Sequence, residues 1–325
     1  MMKGRYWSAI AILLVMAVSA FAADEYPTRQ IEYVVPAGAG GGTDAIARVV
    51  ADYMGKKFAQ PIMVVNKPGG GGVIGSSYVL KQQKADGYTI MADVHSFSSM
   101  LVAGMVNAPV TLEDRAFVAR LVVDPIAFAV NVDAPWKTFR EFSEWVKKNP
   151  EQLTWGSVGP AGLSAFGIQD WLAAIGVDGS KTKFVPTKGA ADSLTKLAGN
   201  HIVLACHTVA ECYSLYKGGK VRILAIQAEK RNKYIPEVST AGEEGIKGLS
   251  VIWWTGIILR KGTPHPILAK WEKGVDEMVK DPEFEKRMDL LHSGVNYLGS
   301  KDFEKFVYEE AKYYTELAKR IGIRK

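Results

Sequence analysis

Short apolar runs alternate with amphipathic segments along the chain from residue 31 onward. Apolar runs rich in β-branched residues predict buried strands, and apolar residues at helical spacing predict helices between them. Strands are predicted over residues 31–35, 62–65 and 88–92, with helices over 43–58 and from 73 to about 84. This β-α-β-α-β order is typical of a parallel sheet with helices on its faces.

The pattern recurs in the second half of the chain. Two apolar runs, 117–123 and 126–132, are joined across Asp124 and Pro125, and a helix with an aromatic face follows over 138–148. Further strands are predicted over residues 153–155, 182–185, 202–205, 221–227 and 250–259, with an irregular segment at 230–248. After residue 260 helices are expected to dominate to the end of the chain.

Two such units, flanked by long extended segments, indicate two domains. We predict an α/β fold in which each domain is a mainly parallel sheet flanked by helices. Domain 1 is expected to be discontinuous, with residues 24–124 and 251–325, and domain 2 to span residues 125–250. The crossovers near 123–127 and 250–254 then form a hinge, with the ligand in the interdomain cleft.

The first 23 residues have the three parts of a secretory signal peptide. Lys3 and Arg5 precede an apolar run at 9–18, and Ala20-Phe21-Ala22 offers small residues at the cleavage positions. A membrane anchor is the alternative, but a spanning helix needs about 20 apolar residues. We therefore expect an exported, periplasmic protein that is soluble after removal of residues 1–23.

Composition and charge narrow the function classes. The 325 residues include 48% hydrophobic and 23% charged residues, which is ordinary for a globular protein and argues against disorder. The formal net charge of +6 is spread thinly, without a long block of Lys or Arg. Nucleic acid is therefore not expected as a partner.

A glycine-rich loop after the first strand is the strongest candidate for ligand binding. Gly40, Gly41, Gly42 and Thr43 lead directly into the first predicted helix. Glycine lets a ligand approach the backbone closely, and the free N–H groups of a helix start attract anions. Asp44 is expected to orient this loop and not to touch the anion, because two negative charges repel.

A second glycine-rich loop contains a dinucleotide-binding fingerprint. Residues 70–75 match G-x-G-x-x-G between a strand and a helix, which is the setting of a dehydrogenase. Residues 66–69 separate the strand from the fingerprint, whereas a nucleotide-binding turn is tight. A lone fingerprint is a weak signal in an exported protein, so we disfavour the dehydrogenase interpretation and expect no cofactor.

Other polar residues are predicted at the carboxyl ends of strands, where open α/β sheets bind ligands. These candidates are His95 and Ser96 after the third strand, Ser157 and Gly159 in the 156–162 loop, and Thr187 and Lys188 in the 186–189 loop. There is no G-x-S-x-G, H-E-x-x-H or Walker sequence, so the chain is not expected to be an enzyme.

Cys206 and Cys212 are the only cysteines. A disulfide is one interpretation for an exported protein, and a metal site with His207 and Glu211 is another. Zinc sites normally use tighter C-x-x-C pairs, so we favour two buried thiols and no metal.

Several motifs together resemble one family of receptors. The segments VVPAGAGGGTDAIARVV, VVNKPGGGGVIGSS and ADGYTIM are similar to the VPxxxGGxxDxxAR, VxNxPGAGGxxG and DGYT motifs of the extracytoplasmic receptors of tripartite tricarboxylate transporters, also called Bug proteins. The resemblance continues through LTWGSVGPAG, VPTKGAADSL and KVRILAI, and covers essentially the whole mature chain.

The resemblance implies a two-domain, type II-like periplasmic binding protein with a flytrap motion. Its ligand would be a small carboxylate-bearing organic acid, and its partners the large and small membrane subunits of such a transporter. Carried over to this chain, the resemblance points to Gly40, Gly41, Gly42 and Thr43 with Gly72 nearby, to Ser157 and Gly159, and to a strand end at His207. We expect a monomer. A ligand receptor for a two-component sensor kinase and a periplasmic enzyme on the same fold are the alternatives.

The chain departs from the family pattern in its second half. Thr187 replaces the usual Tyr of VPYKG, and residues 163–166 lack the usual His. These differences affect the distal half of the ligand more than its carboxylate. Phe166, Trp171 and Trp254 are available for an apolar distal group, with simple core positions as the alternative.

Overall fold

The computed structural model describes residues 26–105, 107–159, 162–249 and 251–322, so the predicted signal peptide lies outside the described residues. Ten strands are described there: β1 Ile31–Val35, β2 Ile62–Asn66, β3 Thr89–Val94, β4 Arg115–Asn131, β5 Thr154–Ser157, β6 Lys183–Pro186, β7 Ala205–Thr208, β8 Val221–Gln227, β9 Ile252–Arg260 and β10 Val295–Gly299. The α-helices in the same residues are α1 Gly42–Phe58, α2 Val73–Ser77, α3 Ser99–Gly104, α4 Phe139–Lys148, α5 Leu163–Ala174, α6 Ala190–Ala198, α7 Val209–Lys217, α8 His265–Val279, α9 Pro282–Leu290 and α10 Ser300–Arg320.

The first sheet has the strand order β10-β4-β9-β3-β1-β2. β1 pairs in parallel with β2 and β3, as the β-α-β pattern predicts, whereas β9, β4 and β10 add antiparallel. The expectation of a mainly parallel sheet is therefore wrong for the half formed by β9, β4 and β10. The α/β class itself is confirmed.

β4 is one continuous strand across Asp124 and Pro125, not two runs. It pairs with β9 from Arg115 to Pro125, and with β7 and β8 from Ile126 onward. Proline has no N–H to donate to a ladder. Pro125 lies where β4 exchanges partners, so the strand continues through it.

The second unit is smaller and also mixed. β5 and β6 pair in parallel, while β7 and β8 run antiparallel to β4. β7 begins at Ala205, three residues later than predicted, and β10 was not predicted at all. β10 is a half-buried edge strand between two helices, so its five residues carry only a weak alternating signal.

Alternating side chains of the strands build helix-covered cores on both sheet faces. In β1, Tyr33 and Val35 pack with α1, α8 and α9, while Val34 packs on the opposite face. In β4, Phe128 packs with α4 and α5, and Ala129 packs with α6 and α7. Phe166, Trp171 and Trp254 are fully buried in these cores, so they are core residues.

The C-terminal helix α10 contacts both units. Phe303 and Val307 belong to the core of the first sheet, whereas Tyr314 and Leu317 belong to the core formed with α4 and α5. At its end, Arg320 forms an ion pair of 3.2 Å with the carboxylate of Asp170 in α5. The predicted domain limits stay a prediction, and α10 bridges the two sides of the limit at residue 125.

A buried glutamate holds α10 against its neighbours. Glu310 accepts hydrogen bonds from the Trp254 indole N–H at 2.7 Å, from the Tyr314 hydroxyl at 3.2 Å and from the Ser99 hydroxyl. Burial raises the pKa of Glu310 to about 7, although these hydrogen bonds oppose the shift. The carboxyl group therefore gains a proton on folding at mildly acidic pH.

Glu310→Gln should change how stability depends on pH. The folded pKa lies above the unfolded value, so the wild-type contribution is present at low pH and is lost as pH rises through about 7. Between pH 5 and pH 8 we expect the free energy of unfolding of wild type to fall by about 2–3 kcal/mol relative to the variant, by linkage. Urea unfolding at both pH values tests this, with the exposed neighbour Glu309→Gln as the control. Equal pH dependence in wild type and Glu310→Gln would contradict the argument.

Candidate functional site

A cavity of about 250 Å³ lies between the first glycine-rich loop and the start of α7. It opens at the carboxyl end of β1, beside the point where β4 exchanges partners, which is where ligand sites of open α/β sheets occur. A larger depression lies at the amino end of β2, away from these strand ends. The cavity is lined by Gly40, Gly41, Gly42, Thr43, Ala45, Ile46, Asp124, Thr208, Ala210, Glu211, Trp253, Leu291 and Ser293.

The glycine-rich loop presents backbone N–H groups to the cavity. Gly41 is the N-cap of α1 and no side chain caps this helix start. The first N–H groups of a helix have no partner within it, and the helix dipole adds partial positive charge there. Gly40 has φ +82°, a conformation that favours glycine, whereas Gly41 has φ −80°. Only Gly40 of these two therefore needs to be glycine for its backbone angles.

Asp44 holds this loop from behind. Its carboxylate accepts the Gly40 N–H at 2.9 Å, a bidentate pair of bonds from Arg48 at 3.0 Å and a bond from the Asn66 amide at 3.0 Å. Burial raises the pKa of Asp44, but these hydrogen bonds outweigh it and hold the pKa below its usual value. The ionised carboxylate thus fixes the loop, and it does not line the cavity.

The opposite wall of the cavity contains an acidic residue, Asp124, whose place there only the tertiary structure reveals. Asp124 is buried, and its Oδ2 accepts the Ala210 N–H at 3.3 Å at the start of α7. Burial raises the pKa of Asp124 to about 8. The Asp124 carboxyl group occupies the place at this helix start that an external anion would otherwise take.

Glu211 is the second acid of this wall. Thr208 and Glu211 form a capping box at α7, with Glu211 Oε2 3.1 Å from the Thr208 N–H that donates to it. No basic side chain is among the described residues that line the cavity. One wall therefore offers N–H donors and the other offers carboxyl groups.

At the rim of the cavity, α7 and the loop after β8 contact the end of α9 and the residues that follow it. The Tyr213 ring stacks on His292 with ring centroids 3.7 Å apart. Asp289 accepts hydrogen bonds of 2.6 Å from both the Lys233 ammonium and the Tyr234 hydroxyl. Leu291 and Ser293, the two neighbours of His292 along the chain, line the cavity.

Gly72, His95 and Ser96 support the site from outside its lining. Gly72 has φ +94° and faces the ring of Phe97. His95 is buried edge-on against Trp253, its Nε2 lies 2.8 Å from the Ser96 hydroxyl, and burial lowers its pKa to about 3. The buried Asp93–Arg115 ion pair of 3.0 Å anchors this turn.

The predicted residues of the second unit lie outside the cavity lining. The Ser157 hydroxyl donates to the Gly159 carbonyl at 2.9 Å, and exposed Lys188 donates its N–H to Asp192 at 2.9 Å. Thr187 and His207 are buried, and among the described residues neither the Thr187 hydroxyl nor the His207 Nε2 has a hydrogen-bond partner. The structure therefore does not bring these five residues together with Gly40–Thr43 around one cavity.

Cys206 and Cys212 are buried free thiols, which agrees with the favoured interpretation. No group of acidic, His or Cys side chains suited to a metal ion occurs in the described ranges. Across the same ranges, no helix is long and apolar enough to cross a membrane.

Sequence reasoning missed Asp124, Trp253 and Ser293 as cavity residues. Asp124 did carry a signal, because it is the one acid within the mainly apolar stretch from 117 to 132. Trp253 is paired with Asp124 across β4 and β9. A sequence pattern does not reveal that pairing, since the two residues are far apart along the chain.

Comparison with known proteins decides the family. The family model described as "Tripartite tricarboxylate transporter family receptor" matches residues 46–323. The chain belongs to this family. Among its relatives, a UPF0065 protein in the gbd 5′ region of Cupriavidus necator is 30% identical, over 98% of this chain and 95% of the relative.

Solved structures agree with this assignment. A TctC solute-binding protein from Polaromonas, solved without ligand, is 31% identical, has a TM-score of 0.74, and the match covers 91% of this chain and 99% of that one. MatC from Rhodopseudomonas palustris, solved with bound malate, is 26% identical with a TM-score of 0.79, over 90% of this chain and 99% of MatC. The tricarboxylate-receptor chain described here thus has the fold of periplasmic solute-binding proteins, and its relatives are receptors and not enzymes.

The two glycine-rich loops of this receptor should respond differently to alanine. At Gly72 a Cβ atom would collide with the Phe97 ring and the backbone has positive φ, so Gly72→Ala should cost about 2–4 kcal/mol. At Gly42 nothing lies within 4 Å of a Cβ atom, so Gly42→Ala should change stability by less than about 0.5 kcal/mol. Urea unfolding of both variants checks the contrast, and equal destabilisation would refute it.

Proposed function

We propose that this receptor binds a small carboxylate-bearing organic acid in the cavity beside α1 and delivers it to the membrane subunits of a tripartite tricarboxylate transporter. The observation that carries the proposal is the uncapped start of α1, where Gly41, Gly42 and Thr43 line a cavity of about 250 Å³. MatC, a relative with bound malate, supports the ligand class.

The carboxylate is held by the backbone and not by a cationic side chain. Its oxygens accept charge-assisted hydrogen bonds from the helix start, and the α1 dipole adds to the attraction. The network of Asp44, Arg48 and Asn66 keeps the loop in place before the ligand arrives, so little ordering is left to the binding step. Thr43 adds a side-chain hydroxyl beside these donors.

The remaining residues act as supports or as distal contacts. Gly72, His95 and Ser96 hold the neighbouring turn, while Ser157, Gly159, Thr187 and His207 belong to the distal half of the site and the exposed Lys188 does not. The buried polar atoms of Thr187 and His207 are available to a ligand or to water. The proposed lobes are residues 24–124 with 251–325, and residues 125–250, and they close on the ligand about β4 and β9.

Export of the chain is part of the proposal. Residues 1–23 act as the signal peptide, and the mature receptor works in the periplasm, where solved relatives of the family are described. The closed form then presents both lobes to the transporter.

Gly41→Val tests the backbone site. Valine accepts the backbone angles of Gly41, and its Cβ meets only the Gly38 carbonyl at 3.8 Å, so the fold should persist. Its branched side chain occupies the approach of the carboxylate, and we expect at least about a tenfold loss of affinity. A thermal-shift screen of carboxylic acids on mature protein first identifies a ligand, which adds about 2.7 kcal/mol at 100-fold its Kd. Calorimetric titration then compares the variants.

Lys188→Ala is the matched control, because Lys188 is exposed and outside the cavity lining. Its affinity should stay within about twofold of wild type. If Gly41→Val binds normally and Lys188→Ala does not, the anion is held from the second unit and the backbone account is wrong.

A further inference from the structure

Asp124 is a buried carboxyl group without a cationic partner. Its side chain is 2% exposed, and no Lys, Arg or His in the described part of the chain pairs with it. Its hydrogen bonds come from the start of α7, where the Ala210 N–H donates at 3.3 Å. Buried acids are ordinarily paired with a cation or a metal. Without a cation Asp124 stays mostly protonated near pH 7, and on the side that faces the cavity a cation would have to come from a ligand.

Glu211 places a second acid on the same wall. Its side chain is 35% exposed, and one oxygen, Oε2, serves the capping box of α7. His207 Nδ1 lies 3.8 Å from Oε2, but burial lowers the pKa of His207. The ring is therefore neutral near pH 7 and does not neutralise Glu211. The wall keeps two carboxyl groups and no positive charge.

The two walls of the cavity have opposite hydrogen-bonding character. The start of α1 offers N–H donors, and the start of α7 offers carboxyl acceptors across about 250 Å³ of space. We infer that Asp124 and Glu211 form a subsite for a positively charged nitrogen, so that the preferred ligand is an aminocarboxylate. This inference rests on the proposed function, because it requires Gly40–Thr43 to hold the carboxylate end.

Charge complementarity is the physical reason why the site would prefer an aminocarboxylate to a dicarboxylate. A dicarboxylate of similar size would place its second carboxylate against Glu211 and keep Asp124 from ionising, and a buried site screens that repulsion poorly. An ammonium group at the same position donates hydrogen bonds to both acids and favours the ionised form of Asp124. Asp124 and Glu211 thus select for the nitrogen and against a second carboxylate.

Matched ligand pairs test this selection on wild-type mature protein. Calorimetric titrations compare aspartate with succinate, glutamate with glutarate, and alanine with propionate, and the members of each pair differ only in the ammonium group. We expect at least one aminocarboxylate to bind at least about tenfold more tightly than its counterpart.

Two acid variants locate the effect. Asp124→Asn retains an oxygen acceptor for the Ala210 N–H, and Glu211→Gln retains a capping acceptor. Each should lower the preference for the aminocarboxylate at least about fivefold, while affinity for its counterpart stays or rises. Circular dichroism confirms folding, and if Asp124→Asn does not fold, Glu211→Gln carries the comparison.

Glu141→Gln is the matched control. Glu141 has the same capping-box position in α4 that Glu211 has in α7, and it does not line the cavity. Its preference ratio should equal that of wild type. A drop as large as in Glu211→Gln would assign the effect to lost capping and overturn the inference.

The remaining outcomes separate this inference from the proposed function. If carboxylates bind and Gly41→Val weakens them, but wild type shows no preference for an aminocarboxylate, the nitrogen subsite is wrong and the carboxylate receptor stands. An unchanged preference in both acid variants also overturns the subsite. If no member of any pair binds, and the wider screen yields no carboxylate, the proposed function fails and the subsite with it.

Discussion

One strand, β4, joins the two units of this receptor through a single eight-stranded sheet. Its first part lies between β9 and β10, and its second part pairs with β7 and β8. The exchange of partners at Pro125 brings Asp124, and Trp253 opposite it, to the junction of the two units. A cavity forms there because each unit covers only its own part of the strand. The location of the site is thus a consequence of shared pairing.

The two walls of that cavity offer different hydrogen-bonding groups. The α1 wall offers backbone N–H groups, which do not titrate and are held by Asp44, Arg48 and Asn66 before a ligand arrives. The α7 wall offers carboxyl groups, one of which lies buried with its pKa raised. In the proposed binding mode the carboxylate needs only the first wall, and the second wall selects among carboxylates.

The two units are joined by two sets of contacts, one in the cores and one at the rim of the cavity. α10 belongs to both cores and anchors its end through Arg320 and Asp170, neither of which lines the cavity. At the rim, Tyr213 with His292, and Asp289 with its two donors, join the units through polar and stacking contacts. Apolar burial is difficult to reverse, whereas rim contacts of this kind exchange with water at modest cost. The rim contacts are therefore the weaker of the two sets that join the units.

The sequence by itself determined the α/β class, most of the strands and helices, the family and the glycine-rich loop at Gly40–Thr43. These features depend on local periodicity and on residues that are neighbours along the chain. Only the tertiary structure decided that β4 runs unbroken through Pro125, that β9 and β10 add antiparallel, and that Asp124 and Trp253 meet at the cavity. The physical reason is that strand pairing and burial join residues distant in sequence. Asp124 lines a cavity only because β4, β9 and α7 come together around it.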